Sequence, residues 1–342
     1  MHDRTLGRTG IQISPYALGT MNFGAYANAD QGDCVRIIHR ALDAGINLID
    51  TADVYSQGES EEIVGKAIQG RRDEVVLATK FSNPMGDAPN RRGASRRWIT
   101  RAVEDSLRRL GTDHIDLYQY HRLDTSTDME ETLSALSDLM HRGLVRAIGT
   151  SKLPASDMVE AQWLAERRGY ERFRCEQPTY SILNRGIERD VLPVAERYGM
   201  GTLVYSPLAQ GMLTGRVRKG RDSELTRHGA YYAHLHDEHR LDVVEQLISL
   251  AQEAGLPLSH LAMAFVIAHP GVSAALIGPR TMEQLDDLLS GMDTVLSDEL
   301  LDRIDAIVPP GTDIGQIQMR FDPPAITEPK RRRRPLDERG AS

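Results

Sequence analysis

Four side chains in the first 121 residues have complementary chemistry. The stretch NLIDTADVY ends an apolar run on Asp50 and carries Tyr55 five residues later. LATK ends on Lys80, and YQYH ends on His121. A free tyrosine loses its proton near pH ~10, too high for easy proton exchange at neutral pH. An ammonium beside it favours the phenolate and lowers that value. On this reading Asp50 holds Lys80 charged, Lys80 tunes Tyr55, and His121 donates to a carbonyl oxygen. Such a donor contributes roughly 10²–10⁴ in rate, and it would act where negative charge develops on a carbonyl oxygen. Taken singly, a loop tyrosine packs, a strand-end lysine is solvated and a lone histidine is structural. The four together at neighbouring strand ends are harder to explain as packing.

Elements must bring them together. Eight short β-rich runs are legible: 13–19, 47–50, 74–80, 115–121, 144–150, 172–177, 202–206 and 273–278. Between them lie segments with apolar residues at helical spacing. DQGDCVRIIHRALDAG starts on a cap candidate, Asp30, and closes at Gly45. SRRWITRAVEDSLRRLG and DMEETLSALSDLMHRG are built the same way and close at Gly111 and Gly143. Strand and helix alternating eight times predict an α/β chain folded as a (β/α)8 TIM barrel. TLGRTGIQIS ahead of the first strand predicts a β-hairpin turning at Arg8-Thr9-Gly10 and capping the barrel bottom. A doubly wound dinucleotide fold would carry G-x-G-x-x-G after a strand, and the chain has none.

Active sites of such barrels form at the C-terminal strand ends. Those ends carry Asp50, Lys80, His121, Ser151 with Lys152, Glu176 with Gln177, Tyr205 with Ser206, and Gly278 with Arg280.

Composition narrows the class. The 342 residues hold 41 basic and 49 acidic side chains, a net charge of −8, with 40 % hydrophobic residues. That balance predicts a soluble globular protein with no general attraction to nucleic acid. No run reaches the ~18 apolar residues of a membrane span. Two distant cysteines, Cys34 and Cys175, offer neither a disulfide framework nor a zinc spacing, and a cytoplasmic location is expected. We expect one barrel domain over 1–322 and a Pro/Arg-rich tail over 323–342, extended or disordered and including Arg331 to Arg334. A homo-oligomer is compatible with this sequence. The irregular stretch 209–240 has a length typical of functional or mobile loops. It contains a basic cluster of Arg216, Arg218, Lys219 and Arg221, and three histidines, His234, His236 and His239, whose spacing is a weak signal for a metal.

The chain resembles the aldo-keto reductases from about residue 3 to about residue 307. DAGINLIDTADVYSQGESEEIVGKAI is similar to that family's first signature, and the lysine of LATK and histidine of YQYH fall where the family has them. The resemblance implies a tetrad of Asp50, Tyr55, Lys80 and His121, with Tyr55 as general acid. It implies NADPH/NADP+ bound in the barrel mouth and a small aldehyde or ketone as substrate. LGTMNFG resembles a cofactor contact at Gly19, Thr20 and Met21. Ser151 and Gln177 match residues that hold the nicotinamide amide, and Asp50 lies beside them. Tyr205 matches an aromatic that stacks on that ring. YSPLAQGMLTGR resembles the pyrophosphate loop, with Ser206, Pro207, Leu208, Gln210, Gly211 and Arg216. IGPRTMEQLDDLL resembles the adenosine end, with Gly278, Arg280, Gln284 and Asp287, while Leu288 replaces an asparagine often seen there. A helix N-terminus favours anions, and Arg280 is suited to bidentate phosphate binding, which argues for NADPH over NADH. Lys152 departs from the family's common asparagine and resembles the basic residue of the potassium-channel β-subunit branch. His121 is commonly replaced in that branch, so its presence here favours a working enzyme. VPPGTD and FDPPAIT are similar to bacterial sugar-processing members, some of which reduce nucleotide-linked keto-deoxysugars.

Three other functions fit parts of the pattern. A non-catalytic NADP-binding regulator would keep the cofactor contacts without turnover. A Schiff-base aldolase would use Lys80 as nucleophile, which requires a neutral amine. A glycosidase would pair Asp50 with Glu176 across the mouth.

Overall fold

The computed structural model describes residues 2–220, 234–315 and 324–340. Eight parallel strands close into a barrel. They are β3 (Tyr16–Gly19), β4 (Leu48–Asp50), β5 (Val76–Phe81), β6 (Ile115–Tyr120), β7 (Val145–Ser151), β8 (Cys175–Gln177), β9 (Gly201–Val204) and β10 (Ala274–Ile277). β10 pairs with β3 and closes the ring. Each expected run overlaps one of these strands, with β5, β7 and β9 each extending one residue beyond its run, and the (β/α)8 barrel is the observed fold.

Alternation along each strand sorts its side chains into two cores. On β5, Val76 and Ala78 face the barrel interior with Leu48, Leu117, Ala147, Cys175 and Leu203. Leu77 and Phe81 face outward into the layer between barrel and helices. Phe81 stacks there on Tyr118 and Tyr120, with ring centroids 4.9 and 5.5 Å away. Burial of this apolar surface is the main force that closes the barrel.

The helices that matter here are α1 (Gln31–Asp43), α2 (Glu59–Ala67), α3 (Arg96–Leu110), α4 (Met129–His141), α5 (Ala155–Arg168), α6 (Val191–Tyr198), α7 (Glu238–Glu253), α8 (Leu258–Ala268) and α9 (Met282–Ser290). Their ends follow the sequence signals. The Asp30 carboxylate accepts the Asp33 amide at 2.9 Å and starts α1, and the Ser95 hydroxyl accepts the Trp98 amide at 3.3 Å and starts α3. Gly111 ends α3 in the left-handed region at φ 63°. Among the described residues, no single helix is long and apolar enough to cross a membrane.

The N-terminal strands β1 (Arg4–Thr5) and β2 (Gln12–Ile13) pair antiparallel, with Gly10 left-handed at φ 79°. This is the expected hairpin, and it plugs the bottom of the barrel with Leu6 and Ile13, both fully buried. The plug sits very close to β9. A Cβ on Gly7 would lie 2.4 Å from the Gly201 amide nitrogen, so only glycine fits there.

The expected irregular stretch 209–240 opens with a 3-10 segment, Ala209–Thr214. Residues 221–233, including Arg221, lie outside the described residues. In the tail, Pro324–Thr327 forms one helical turn, and Arg331 to Arg334 are exposed.

Candidate active site

Strand register places the polar strand ends on one level. Gly19 is opposite Asp50, Lys80 is opposite Gln119, and Ser151 is opposite Gln177. All lie at the C-terminal rim. Asp50 follows the inward-facing Leu48 by two residues, and Lys80 follows Ala78 by two, so both point inward.

Lys80 is fully buried and Asp50 is nearly so. The Lys80 ammonium donates to Asp50 Oδ1 in a short contact. It also donates to the Thr51 carbonyl at 2.9 Å and to the Tyr55 hydroxyl at 3.2 Å. The other carboxylate oxygen, Asp50 Oδ2, accepts from Gln119 Nε2 and Gln177 Nε2, each at 2.9 Å. Every donor of the ammonium and both oxygens of the carboxylate are therefore engaged, the condition that makes a buried pair tolerable. Burial alone would lower the Lys80 pKa, but Asp50 and Tyr55 together outweigh it and hold the ammonium above its ordinary value. A neutral nucleophilic amine is not what this site produces, which counts against the Schiff-base alternative.

Tyr55 stands in a turn beyond β4, with its ring half-buried. The turn contains two left-handed non-glycine residues, Ser56 at φ 46° and Gln57 at φ 57°. His121 faces Tyr55 edge to face, with ring centroids 5.9 Å apart. The Asn83 amide donates to His121 Nδ1 at 2.9 Å. A nitrogen that accepts carries no proton, so the imidazole proton sits on Nε2. Burial first, then the charges of Lys80, Lys152 and Arg122, push the His121 pKa well below its ordinary value. The ring is neutral and offers one N–H donor.

For Tyr55 the expected pull of Lys80 is present but does not set the net direction. Lys80 does pull its pKa down, but burial and the Asp50 carboxylate push harder, and the net position is above the ordinary value. The phenol keeps its proton through the neutral range. That suits a residue whose task is to give a proton rather than hold a phenolate at rest.

The fifth and sixth strand ends lie beside this group. The Ser151 hydroxyl donates to the Gln177 carbonyl at 2.9 Å. Lys152 is left-handed at φ 59°, and its ammonium lies 5.5 Å from the centroid of the Tyr205 ring. Burial, followed by the charges of Arg122 and Lys80, lowers its pKa to about 8. Glu176 does not face the mouth. Its neighbours Cys175 and Gln177 point into the barrel, so Glu176 turns the other way and accepts from the Thr150 hydroxyl and the Leu153 amide. The Asp50–Glu176 pair that a glycosidase needs is not formed.

The cofactor residues implied by the sequence form an arc around the rim. Gly19, Thr20 and Met21 leave β3, and Asn22 donates to the Gly278 carbonyl at 2.8 Å, joining the two ends of that arc. Ser206 and Gln210 are left-handed at φ 56° and 55°, and Gly211 at 104°, so the loop with Pro207 and Leu208 is sharply wound. Thr281 caps α9 through the Gln284 amide, and Gln284 Oε1 accepts the Arg280 amide at 2.8 Å. Asp287 is turned toward α8, where His260 Nε2 is 3.4 Å from its carboxylate. The basic cluster is not a unit. Arg218 pairs with Glu245 at 2.6 Å, and Lys219 reaches Glu238 and Asp242 on the same helix, α7. Arg216 is exposed and Arg280 is half-buried; both guanidinium groups lack a hydrogen-bond partner among the described residues. Among the described residues, no group of three histidine, cysteine or carboxylate side chains could hold a metal.

Gln119 and Asn83 were not among the expected site residues. Gln119 could have been found: it shares the inward face of β6 with Leu117, two residues before His121, and it is a polar residue in an apolar run. Asn83 lies in a loop, where no periodicity points to a partner.

A closed barrel with a buried carboxylate–ammonium–tyrosine chain and a neutral histidine at its mouth defines a class of barrel proteins built for polar chemistry at one rim. Residues 16–309 match the model of the Aldo/keto reductase family, and the chain belongs to that family. It is 41 % identical over 315 residues to the uncharacterized oxidoreductase YrpG of Bacillus subtilis, covering 89 % of this chain and 95 % of that one. It is 37 % identical to the aldo-keto reductase YhdN of the same organism, covering 84 % and 88 % of the two chains. A probable voltage-gated potassium channel subunit beta of Oryza sativa subsp. japonica is 33 % identical, covering 90 % and 97 %.

Proposed function

We propose that the protein is an NADPH-dependent reductase of aldehydes or ketones in which Tyr55 is the general acid. The observation that carries this reading is the Lys80 ammonium bonded at once to Asp50 and to the Tyr55 hydroxyl. NADPH, when bound, supplies the hydride for the carbonyl carbon. The carbonyl oxygen takes the Tyr55 proton, and the Lys80 ammonium, 3.2 Å from the phenol oxygen, stabilises the phenolate left behind. Neutral His121 directs its Nε2 proton at the same oxygen and orients it. Gln119 and Gln177 donate to Asp50 and fix its carboxylate beside Lys80. Solvent protons then restore Tyr55. Arg280, Arg216 and Lys152 would hold the cofactor phosphates and the nicotinamide side, with Arg280 favouring NADPH over NADH.

The substrate class within carbonyls is open to a direct assay, with keto-sugars included because of the similarity to sugar-processing members. NADPH oxidation across a panel of aldehydes, keto-sugars and quinones tests the reading. Turnover of at least one class supports it. The potassium-channel relative favours one other reading, a regulator that binds NADPH. Binding without turnover on the whole panel would support that instead.

A further inference from the structure

The turn that carries Tyr55 is braced from beneath by two residues outside the mouth. Tyr55–Gly58 contains Ser56 and Gln57 in the left-handed region, followed by Gly58 at φ 100°. Two adjacent non-glycine residues of this kind persist only where their surroundings hold them. Above, the Ser56 hydroxyl donates to the Phe23 carbonyl at 3.0 Å and accepts the Tyr26 amide at 3.2 Å. Below, the Arg109 side chain lies against the Gly58 backbone. A Cβ on Gly58 would be 2.7 Å from Arg109 Cδ and 3.0 Å from its Nε.

Arg109 is itself held. Its Nε donates to Glu61 Oε2 at 2.7 Å, and its Nη2 lies 2.6 Å from the same oxygen. Glu61 is fully buried in the first turn of α2. Its other oxygen accepts the Thr79 hydroxyl at 2.6 Å. Thr79 is the neighbour of Lys80 on β5, facing the opposite side of the strand. One carboxylate thus ties together the strand that carries Lys80, the helix that follows the tyrosine turn, and the arginine under that turn. Asp53 is buried alongside, with no hydrogen-bond partner for either carboxylate oxygen, and its backbone amide donates to the Lys80 carbonyl at 3.2 Å.

The geometry points to Arg109 and Glu61 as positioning residues for Tyr55: their buried ion pair holds the tyrosine turn in register with Lys80. The inference rests on the reading of Tyr55 as general acid for its catalytic consequence, and on the structure alone for the bracing. A misplacement of about 1 Å costs on the order of 10²-fold in rate.

The test combines hydrogen exchange with kinetics on the full chain. Arg109→Met, Arg109→Lys and Glu61→Gln are compared with wild type. Amides of residues 55–58 should exchange at least tenfold faster in Arg109→Met and Glu61→Gln. In the same variants kcat should fall roughly 10- to 100-fold, while the NADPH Kd and the substrate KM stay within about twofold. Arg109→Lys keeps the charge facing Glu61 and should recover part of both effects, and it stands in if the other variants do not fold. Unchanged exchange at 55–58 in the folded variants would overturn the inference. So would faster exchange with kcat intact where Tyr55→Phe is inactive. If Tyr55→Phe keeps full activity while exchange at 55–58 rises, the bracing stands and the general-acid reading fails.

Discussion

Lys80 Nζ lies 3.2 Å from the Tyr55 hydroxyl and is bonded on its other side to Asp50, which in turn takes amide protons from Gln119 and Gln177. The relation is one-directional. Asp50 and its two glutamines serve the lysine, and the lysine serves the tyrosine. The net effect at rest is a protonated phenol with a cation waiting for its charge.

Removing the cation should be costly to the fold as well as to turnover. Lys80→Met leaves Asp50 buried with only its two glutamine partners. Breaking a buried ion pair from one side costs about 3–5 kcal/mol, and the remaining amide bonds place this case near the low end. Urea unfolding should show the loss in midpoint. A variant as stable as wild type would show that the Lys80–Asp50 pair contributes nothing net to the fold.

Glu176 gives stability a pH slope. Burial is the main cause that raises its pKa from 4.5 to about 7. Between those two values the folded chain binds a proton that the unfolded chain has lost. Stability therefore falls as pH rises from about 4.5 to about 7, by on the order of 3 kcal/mol. Glu176→Gln should remove this component of the slope when unfolding is followed between pH 4.5 and 7.5. An unchanged slope would place the ionised carboxylate in the native state throughout.

Lys152 should make cofactor affinity depend on pH. Its pKa is lowered to about 8, so its charge is present at pH 6 and lost on the alkaline side. The NADPH Kd should rise as pH passes about 8. Lys152→Met should bind more weakly at pH 7 and show no such rise. The same pH dependence in wild type and variant would remove Lys152 from the cofactor contacts.

Arg280 should discriminate between the two nicotinamide cofactors. Its guanidinium has no hydrogen-bond partner among the described residues and stands at the start of α9. A hydrogen bond to a charged group contributes about 1.5–3 kcal/mol. Arg280→Ala should weaken NADPH by roughly 10- to 100-fold and leave NADH nearly unchanged. Equal losses in titrations with both would show that Arg280 does not read the 2′-phosphate.

Much of this site was legible because strands announce themselves. Asp50, Lys80 and His121 each end an apolar run, and the barrel's geometry turns run ends into a rim. Strand limits were less sharp. The run 172–177 becomes a strand only at Cys175, and the Phe173 carbonyl is taken instead by the Gln162 side chain at 2.8 Å. What sequence could not supply were relations across long separations. Gln119 and Gln177 converge on Asp50 from strands 69 and 127 residues away. Arg218 and Lys219 looked like free charge until α7 brought carboxylates to them. The Tyr55 pKa needed the balance of burial against one ammonium, and composition does not contain that balance. The Glu61–Arg109 pair was invisible for the same reason, being 48 residues apart.

Tyr55→Phe shows whether the phenol supplies the proton. The substitution removes the hydroxyl and keeps the ring that packs against His121. Single-turnover reduction of a carbonyl that the wild type accepts should slow by roughly 10²–10⁴, with the NADPH Kd unchanged within about twofold. Full-speed hydride transfer by Tyr55→Phe on that substrate would contradict the account.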